Sequence, residues 1–183
     1  METIILGLLL MEPMTSYDLR NHIKQKFAMM CSDSPGSIQV ALKKLLSGGH
    51  IKFNEYVENG KNKKKYEITD AGHSMFNAWL AQPMNHRKAK NMELSKLFFM
   101  GHVEANQRRS LLNAYRESLC ADWKELDKLR EDILTSMGGI PISSLSDEVQ
   151  YQLATLDYGI ALFSFEMDWY EKLLEQIEKG KHA

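Results

Sequence analysis

Cysteine is almost absent from this 183-residue chain: only Cys31 and Cys120 occur, far apart and without metal-type spacing. A disulfide scaffold is not expected, and a reducing cytoplasm is the natural compartment. No apolar run approaches the roughly 20 residues that a membrane-spanning helix requires, so a soluble chain with no membrane partner is expected. The apolar start, Ile4 to Leu10, has Glu2 where a signal peptide would carry basic residues, and no small-residue cleavage site follows. It reads as a buried first helix. Gly-rich phosphate loops, a nucleophile elbow and a paired-histidine helix motif are all missing. The six histidines, among them His50, His73 and His102, form no ligand-type cluster. No catalytic residues, no metal and no cofactor are therefore expected.

What is present is ordinary globular composition, 44% hydrophobic and 26% charged, with an uneven distribution of charge. The net charge of -1 conceals a basic first half: residues 1 to 90 hold 13 Lys+Arg against 8 Asp+Glu, a balance of +5, whereas residues 91 to 183 carry -6. A basic half can meet a polyanion that an acidic half would repel.

The first half is built of short, well-punctuated elements. Residues 2 to 11 suit a helix that Pro13 stops. Thr15 or Ser16 can cap a second helix, in which Leu19, Ile23 and Phe27 recur at helical spacing while Arg20, Lys24 and Lys26 stay outside. Ser32, Asp33 and Ser34 precede Pro35, which fits the first turn of a third helix running from about 35 to 47. Its inner stripe is Ile38, Leu42 and Leu45 with Ala41 and Leu46, and Gly48-Gly49 ends it. Ser37, Val40, Lys43, Lys44 and Ser47 are left facing outward.

The period then changes. Ile51, Phe53, Tyr56 and Val57 are strand-type residues, Asn59-Gly60 is a tight-turn dipeptide, and Tyr66 and Ile68 mark a returning strand. Lys61-Asn62-Lys63-Lys64-Lys65 is expected at the hairpin tip. Thr69 caps a fourth helix with Met75, Phe76, Trp79 and Leu80, ending near Pro83.

Residues 84 to 91, with Arg87, Lys88 and Lys90, form the expected hinge. Beyond it a helix is expected over 92 to 136, with Leu112, Tyr115, Leu119, Leu126, Leu129 and Ile133 on its seam. A Gly138-Gly139-Ile140-Pro141 break precedes a last helix, where Leu153, Leu156, Ile160, Phe163, Met167, Tyr170, Leu174 and Ile177 alternate steps of three and four. Such a repeat argues for coiled-coil packing, against either the helix at 92 to 136 or another chain. Two long helices alone make a poor core, so homodimerisation through these eight residues is the expectation. An intramolecular hairpin packed on the first domain is the alternative.

Helix, helix, helix, hairpin is the order of a winged helix-turn-helix. A helix fits the major groove of B-DNA while a basic hairpin crosses adjacent phosphates. Ser37, Gln39, Val40 and Lys43 are the candidate base readers, with Lys44 at phosphate or guanine. Lys61, Lys63, Lys64 and Lys65 would release counterions from the phosphate backbone.

The segments Ser16-Tyr17-Asp18-Leu19, Gly36 to Leu45, and Lys65-Tyr66-Glu67-Ile68-Thr69-Asp70-Ala71-Gly72 with Trp79 seven residues on resemble the PadR family of bacterial regulators. The match covers residues 3 to 82. The remainder is similar in length and helical character to the members with a long C-terminal segment, including virulence-gene activators. The resemblance implies a homodimeric transcriptional regulator, more a repressor than an activator, on a pseudo-palindromic operator, and it adds Ser16 and Tyr17 to the DNA-binding set. Gln39 stands where many members carry tyrosine, and Ser16 where they often carry glycine.

The expected fold is thus mainly α with a small β-hairpin: a winged helix-turn-helix over 1–83, a hinge over 84–91, and an antiparallel helical dimerisation domain over 92–183. Double-stranded DNA is the expected partner. Trp123 and Trp169 are candidates for a pocket holding a flat small-molecule effector, although core packing explains them equally well. Cys31, just before the third helix, is a candidate redox switch beside the commoner role of inert packing. A winged-helix protein-interaction module is the remaining alternative.

Overall fold

The computed structural model describes residues 1–28, 30–58, 60–85 and 91–179, without the side chains of Glu58 and Lys61. Met29, Asn59 of the turn dipeptide, most of the hinge with Arg87, Lys88 and Lys90, and the last four residues lie outside the described set. The chain divides into two compact units, Met1–Ala89 and Lys90–Ala183.

In the first unit, α1 (Glu2–Met11) is apolar on most of its circumference and buries Ile5, Leu6, Leu8 and Leu9. A two-residue strand, β1 (Met14–Thr15), follows and then α2 (Ser16–Lys26). Thr15 caps α2 through a reciprocal box. Its hydroxyl oxygen accepts from the Asp18 backbone N–H at 3.2 Å, and the Asp18 carboxylate accepts from the Thr15 N–H at 3.0 Å. Next come α3 (Pro35–Ser47), β2 (Ile51–Glu58), β3 (Lys61–Ile68) and α4 (Asp70–Leu80).

Leu19 and Ile23 of α2, Ile38, Ala41, Leu42 and Leu45 of α3, and Ile51 and Tyr66 of the sheet close over α1 as one core. The sheet has three strands, not the two expected, in the order β1-β3-β2, all antiparallel. Two residues after a proline are too short to show strand alternation, so β1 left no signal of its own.

The second unit departs from the expected single helix over 92 to 136. A short α5 (Leu94–Phe98) and one 3₁₀ turn (Met100–His102) precede α6 (Ala105–Ser136). The apolar run Leu97 to Met100 carried no period with which to mark the break. The Arg108 guanidinium holds it by donating to the carbonyls of Val103 and Gly101.

Gly138 and Gly139, at φ of 61° and 83°, reverse the chain in a conformation that side chains disfavour. A 3₁₀ turn (Ile142–Ser144) leads into α7 (Asp147–Lys179), which starts six residues before the heptad pattern does.

Helices α6 and α7 form an antiparallel hairpin in strict register. Arg109–Glu178, Arg116–Glu171 and Arg130–Asp157 are ion pairs, and in each the residue numbers sum to 287. Leu112 and Leu119 of α6 pack with Tyr170 and Leu174 of α7, flanked by Tyr115, Phe163, Met167 and Ile177. The stripe assigned to a second chain is therefore engaged inside this one. Leu153, Tyr170 and Leu174 are buried without any partner, and Leu156, Ile160, Phe163, Met167 and Ile177 are half-buried. The heptad signal was sound as evidence of helix packing. It carries no information on which chain supplies the facing helix.

Candidate nucleic-acid interface

The outward face of α3 is set by what its inward face must cover. Ile38, Ala41, Leu42 and Leu45 point to the core, so Ser37, Gln39, Val40, Lys43, Lys44 and Ser47 are presented to solvent. Ser34 caps the helix, accepting from the Ser37 N–H at 3.3 Å, with Pro35 at the first turn. The Ser34 and Ser37 hydroxyls lie 2.7 Å apart, so the Ser37 side chain is held at the cap. Arg20 of α2 donates to the Asp33 carbonyl at 3.2 Å, fixing the start of α3 against the preceding helix. Lys44 reaches Glu2 of α1 at 3.2 Å. That exposed pair costs little to break. Gln39 and Lys43 lie exposed on the same face. At the start of α2, Tyr17 is 68% exposed and Ser16 is half-buried.

The four wing lysines do not sit at a hairpin tip. Two eight-residue strands pair as far as Glu58 and Lys61, and Lys61 to Lys65 are the first five residues of β3, paired with Glu58 to Asn54. Strand alternation then divides them. Lys63 and Lys65 fall on one face and Lys64 on the other.

Lys64 is directly opposite Glu55, with which it forms an ion pair at 3.4 Å, and its ammonium lies 4.0 Å from the centroid of the Phe53 ring. At the base of the same strands Lys52 pairs with Glu67 at 3.3 Å. Glu55 was not singled out in the sequence, and Phe53 only as a strand-type residue, although the cross-strand pairing that neutralises Lys64 follows once the turn is fixed at two residues.

Lys65 pairs across the sheet with Thr15 as well as Asn54, an arrangement that the short β1 creates. It lines a cavity of about 270 Å³ together with Glu12, Asp18, Asn21, His22 and Gln25. Burial by itself would raise the Asp18 carboxyl. The Thr15 hydrogen bonds, with His22 and Lys65 nearby, outweigh it and hold the group below the usual carboxylate range. The lining mixes both signs of charge and defines no anion or cation hole.

Cys31 is half-buried against the core of the first unit, and burial, with Asp33 nearby, pushes its thiol upward. That is opposite to the shift a reactive thiolate requires.

In the second unit the hairpin register places Trp123 level with Ser164, and Trp169 level with Ser118. The two tryptophans are thus five residues apart along the pair, about 7.5 Å at the helical rise, and do not share one level. The Trp123 indole N–H is buried and has no hydrogen-bond partner, whereas Trp169 is 42% exposed with its ring against Tyr170.

Tyr115 was expected only as a seam residue. It donates to the Glu166 carboxylate at 3.2 Å and packs edge-on against Tyr170, and burial beside Glu166 pushes its hydroxyl up to about 12. Among the described residues no group of three or more His, Cys, Asp or Glu side chains could hold a metal, and no helix is long and apolar enough to cross a membrane.

Two family models match the chain: the transcriptional regulator PadR-like family over residues 5–78 and the virulence activator alpha C-term domain over residues 89–178. Negative transcriptional regulator PadR of Bacillus subtilis (strain 168) is 26% identical over 178 residues, covering 96% of each chain. The crystal structure of Bacillus subtilis PadR in complex with operator DNA superposes with a TM-score of 0.76 at 24% identity, over 96% of this chain and 98% of that one. The same regulator in complex with p-coumaric acid gives 0.72 at 23% identity, over 97% and 98%. The order of elements in both units is therefore that of a winged-helix regulator followed by a helical hairpin.

Proposed function

Because the chain belongs to the PadR-like family of transcriptional regulators, we propose that it binds double-stranded operator DNA as a homodimer, on a pseudo-palindromic site, and acts as a repressor. One observation carries this reading: the exposed polar face of α3, with Gln39, Val40 and Lys43, lies in the same compact unit as a strand that begins with four lysines in five positions.

In this reading α3 enters the major groove. Gln39 can offer both an amide donor and an acceptor to a base edge, the Val40 side chain can meet a thymine methyl, and Lys43 and Lys44 can reach guanine or phosphate. Ser37, held to Ser34, serves the backbone at the helix start, with Ser16 and Tyr17 beside it. Lys61, Lys63 and Lys65 follow the phosphates. The direction of regulation is supported by the name of the relative, a negative regulator.

Replacing Gln39 by alanine should change which sequences are selected from a random pool, with a loss of about 1–3 kcal/mol on the preferred site. Equal losses on selected and random duplexes would remove Gln39 from base reading. Deleting the gene should raise transcription from the bound promoter, and a fall would reverse the repressor assignment.

A second reading concerns an effector. The partnerless Trp123 N–H favours a flat ligand carrying an acceptor at that tryptophan, without Trp169 in the same pocket. Titration with p-coumaric acid should quench a fluorescence component that Trp123→Phe removes. Quenching that survives the substitution would place the ligand elsewhere.

A further inference from the structure

The linker from α2 to α3 runs over residues 27–34, longer than the turn of about 3–4 residues that joins the helices of a compact helix-turn-helix. Phe27 and Cys31 pack against the core of the first unit, and α3 returns to that core at Ile38. Residues 32–37, between these anchors, supply the cap and first turn of α3. Ser32, Pro35, Gly36 and Ser37 are exposed, and a Cβ built at Gly36 would meet nothing within 4 Å. Packing therefore gives this turn little support. The first N–H groups of a helix have no intrahelical partners, and the Ser34 cap satisfies the one on Ser37.

Among the described residues, the hydrogen bond that reaches residues 32–37 from elsewhere in the fold is donated by Arg20 of α2. Its Nε–H bonds the backbone carbonyl of Asp33 at 3.2 Å, between residues 13 positions apart. The Asp33 carboxylate adds little to this tie. Its nearer oxygen is 3.9 Å from Arg20 Nη2, beyond hydrogen-bond range, and the two side chains are 46% and 40% exposed.

We propose that Arg20 is a positioning residue for sequence recognition: through the Asp33 carbonyl it fixes the first turn of α3, and so sets how well the chain tells one duplex from another. This inference rests on the reading of α3 as the helix that enters the major groove.

The recognition helix of a helix-turn-helix meets base edges with its N-terminal residues, and such groups must be held to within about 0.5 Å of their productive places. Ser37 and Gln39 stand at that end of α3, on either side of Ile38, the first residue the core holds. An anchor at Ile38 alone lets the turn before it shift. Arg20 closes the turn from the other side, one residue before the Ser34 cap. Contacts to phosphate tolerate such a shift better than contacts to base edges, because the backbone repeats along the duplex and carries no sequence information.

The test is binding of the full chain and its variants to a duplex selected from a random pool and to an unselected duplex of equal length, at several salt concentrations. Arg20→Met should lower the ratio of the two affinities by about 3- to 10-fold, the change that the net strength of one ordinary hydrogen bond corresponds to. Its melting temperature should stay that of the wild type, since the side chain is exposed. Asp33→Asn keeps the carbonyl that Arg20 bonds, and should keep the wild-type ratio. The double variant, Arg20→Met with Asp33→Asn, restores the net charge and should still show the low ratio of Arg20→Met.

A wild type without preference for the selected duplex would overturn the reading of α3 itself. A wild-type ratio in Arg20→Met would overturn the role of Arg20 and leave that reading intact. Equal losses on both duplexes, with a log-log salt slope smaller by about 0.9, would make Arg20 a phosphate contact instead. Recovery of the ratio in the double variant would overturn the proposal as well, by assigning the effect to charge.

Discussion

Gly72 shows how a motif residue is fixed by packing. A Cβ built there would lie 2.1 Å from the His50 carbonyl oxygen and 2.7 Å from an Ile68 side-chain carbon. The start of α4 is clamped at this point: the Thr69 N–H donates to the His50 carbonyl at 3.1 Å, and the Thr69 hydroxyl to the Gly49 carbonyl at 2.7 Å. Backbone cannot retreat as a flexible side chain can, so Gly72→Ala should destabilise the first unit by about 1–3 kcal/mol or more. Denaturant unfolding measures this, and a change within about 0.5 kcal/mol, the range of ordinary surface substitutions, would show that the clamp yields.

Tyr115 makes a prediction in pH. Its hydroxyl is raised by burial and Glu166 from the ordinary 10 to about 12, and burial moves Tyr170 in the same direction. The unfolded chain loses these protons at lower pH than the folded one. Their contribution is therefore intact below about pH 10 and is lost as pH rises through the folded value. Alkaline melting of the helical hairpin should begin in that window, and Tyr115→Phe should make it less steep. An unaltered pH profile in the variant would show that Tyr115 does not report on the hairpin.

At the scale of elements, the wing is where strand geometry changes the arithmetic of charge. Glu55 opposes Lys64, and Phe53 holds the same ammonium. Glu55→Gln should therefore strengthen binding to any duplex and steepen its dependence on salt, by up to about 0.9 in log-log slope for one added phosphate contact. Weaker binding, or an unchanged slope, would mean that Lys64 faces away from DNA in the complex.

The same elements show what the sequence made legible. The span of α1, the cap of α3 at Ser34 and its break at Gly48-Gly49, and the fourth helix behind Thr69 could all be read, because proline, glycine and hydroxyl caps act locally. The short β1, the break before α6 and the division of the lysines could not. Each depends on a partner outside the local periodic pattern: Tyr66, far along the chain, for Met14, the nearby carbonyls of Gly101 and Val103 for Arg108, and Glu55 across the hairpin for Lys64. The inward stripe of α7 was legible as packing, while its partner, α6 of the same chain, was not.

At the scale of the whole molecule, the two units divide the work that the charge asymmetry first suggested. The basic first unit carries α3 and the lysine strand, and the acidic second unit carries a registered helical hairpin. A dimer doubles the recognition surface, and the spacing of its half-sites becomes a geometric property of the assembly.

The central claim is specific binding to DNA through α3 and the wing. The most direct measurement is equilibrium binding of the full chain to a duplex selected from a random pool and to an unselected duplex of equal length, between about 50 and 200 mM salt. The account predicts that the selected duplex binds on the order of 10³-fold or more tightly, with both affinities falling as salt rises. Equal affinity for the two duplexes at every salt concentration, or no saturable binding to either, would contradict it.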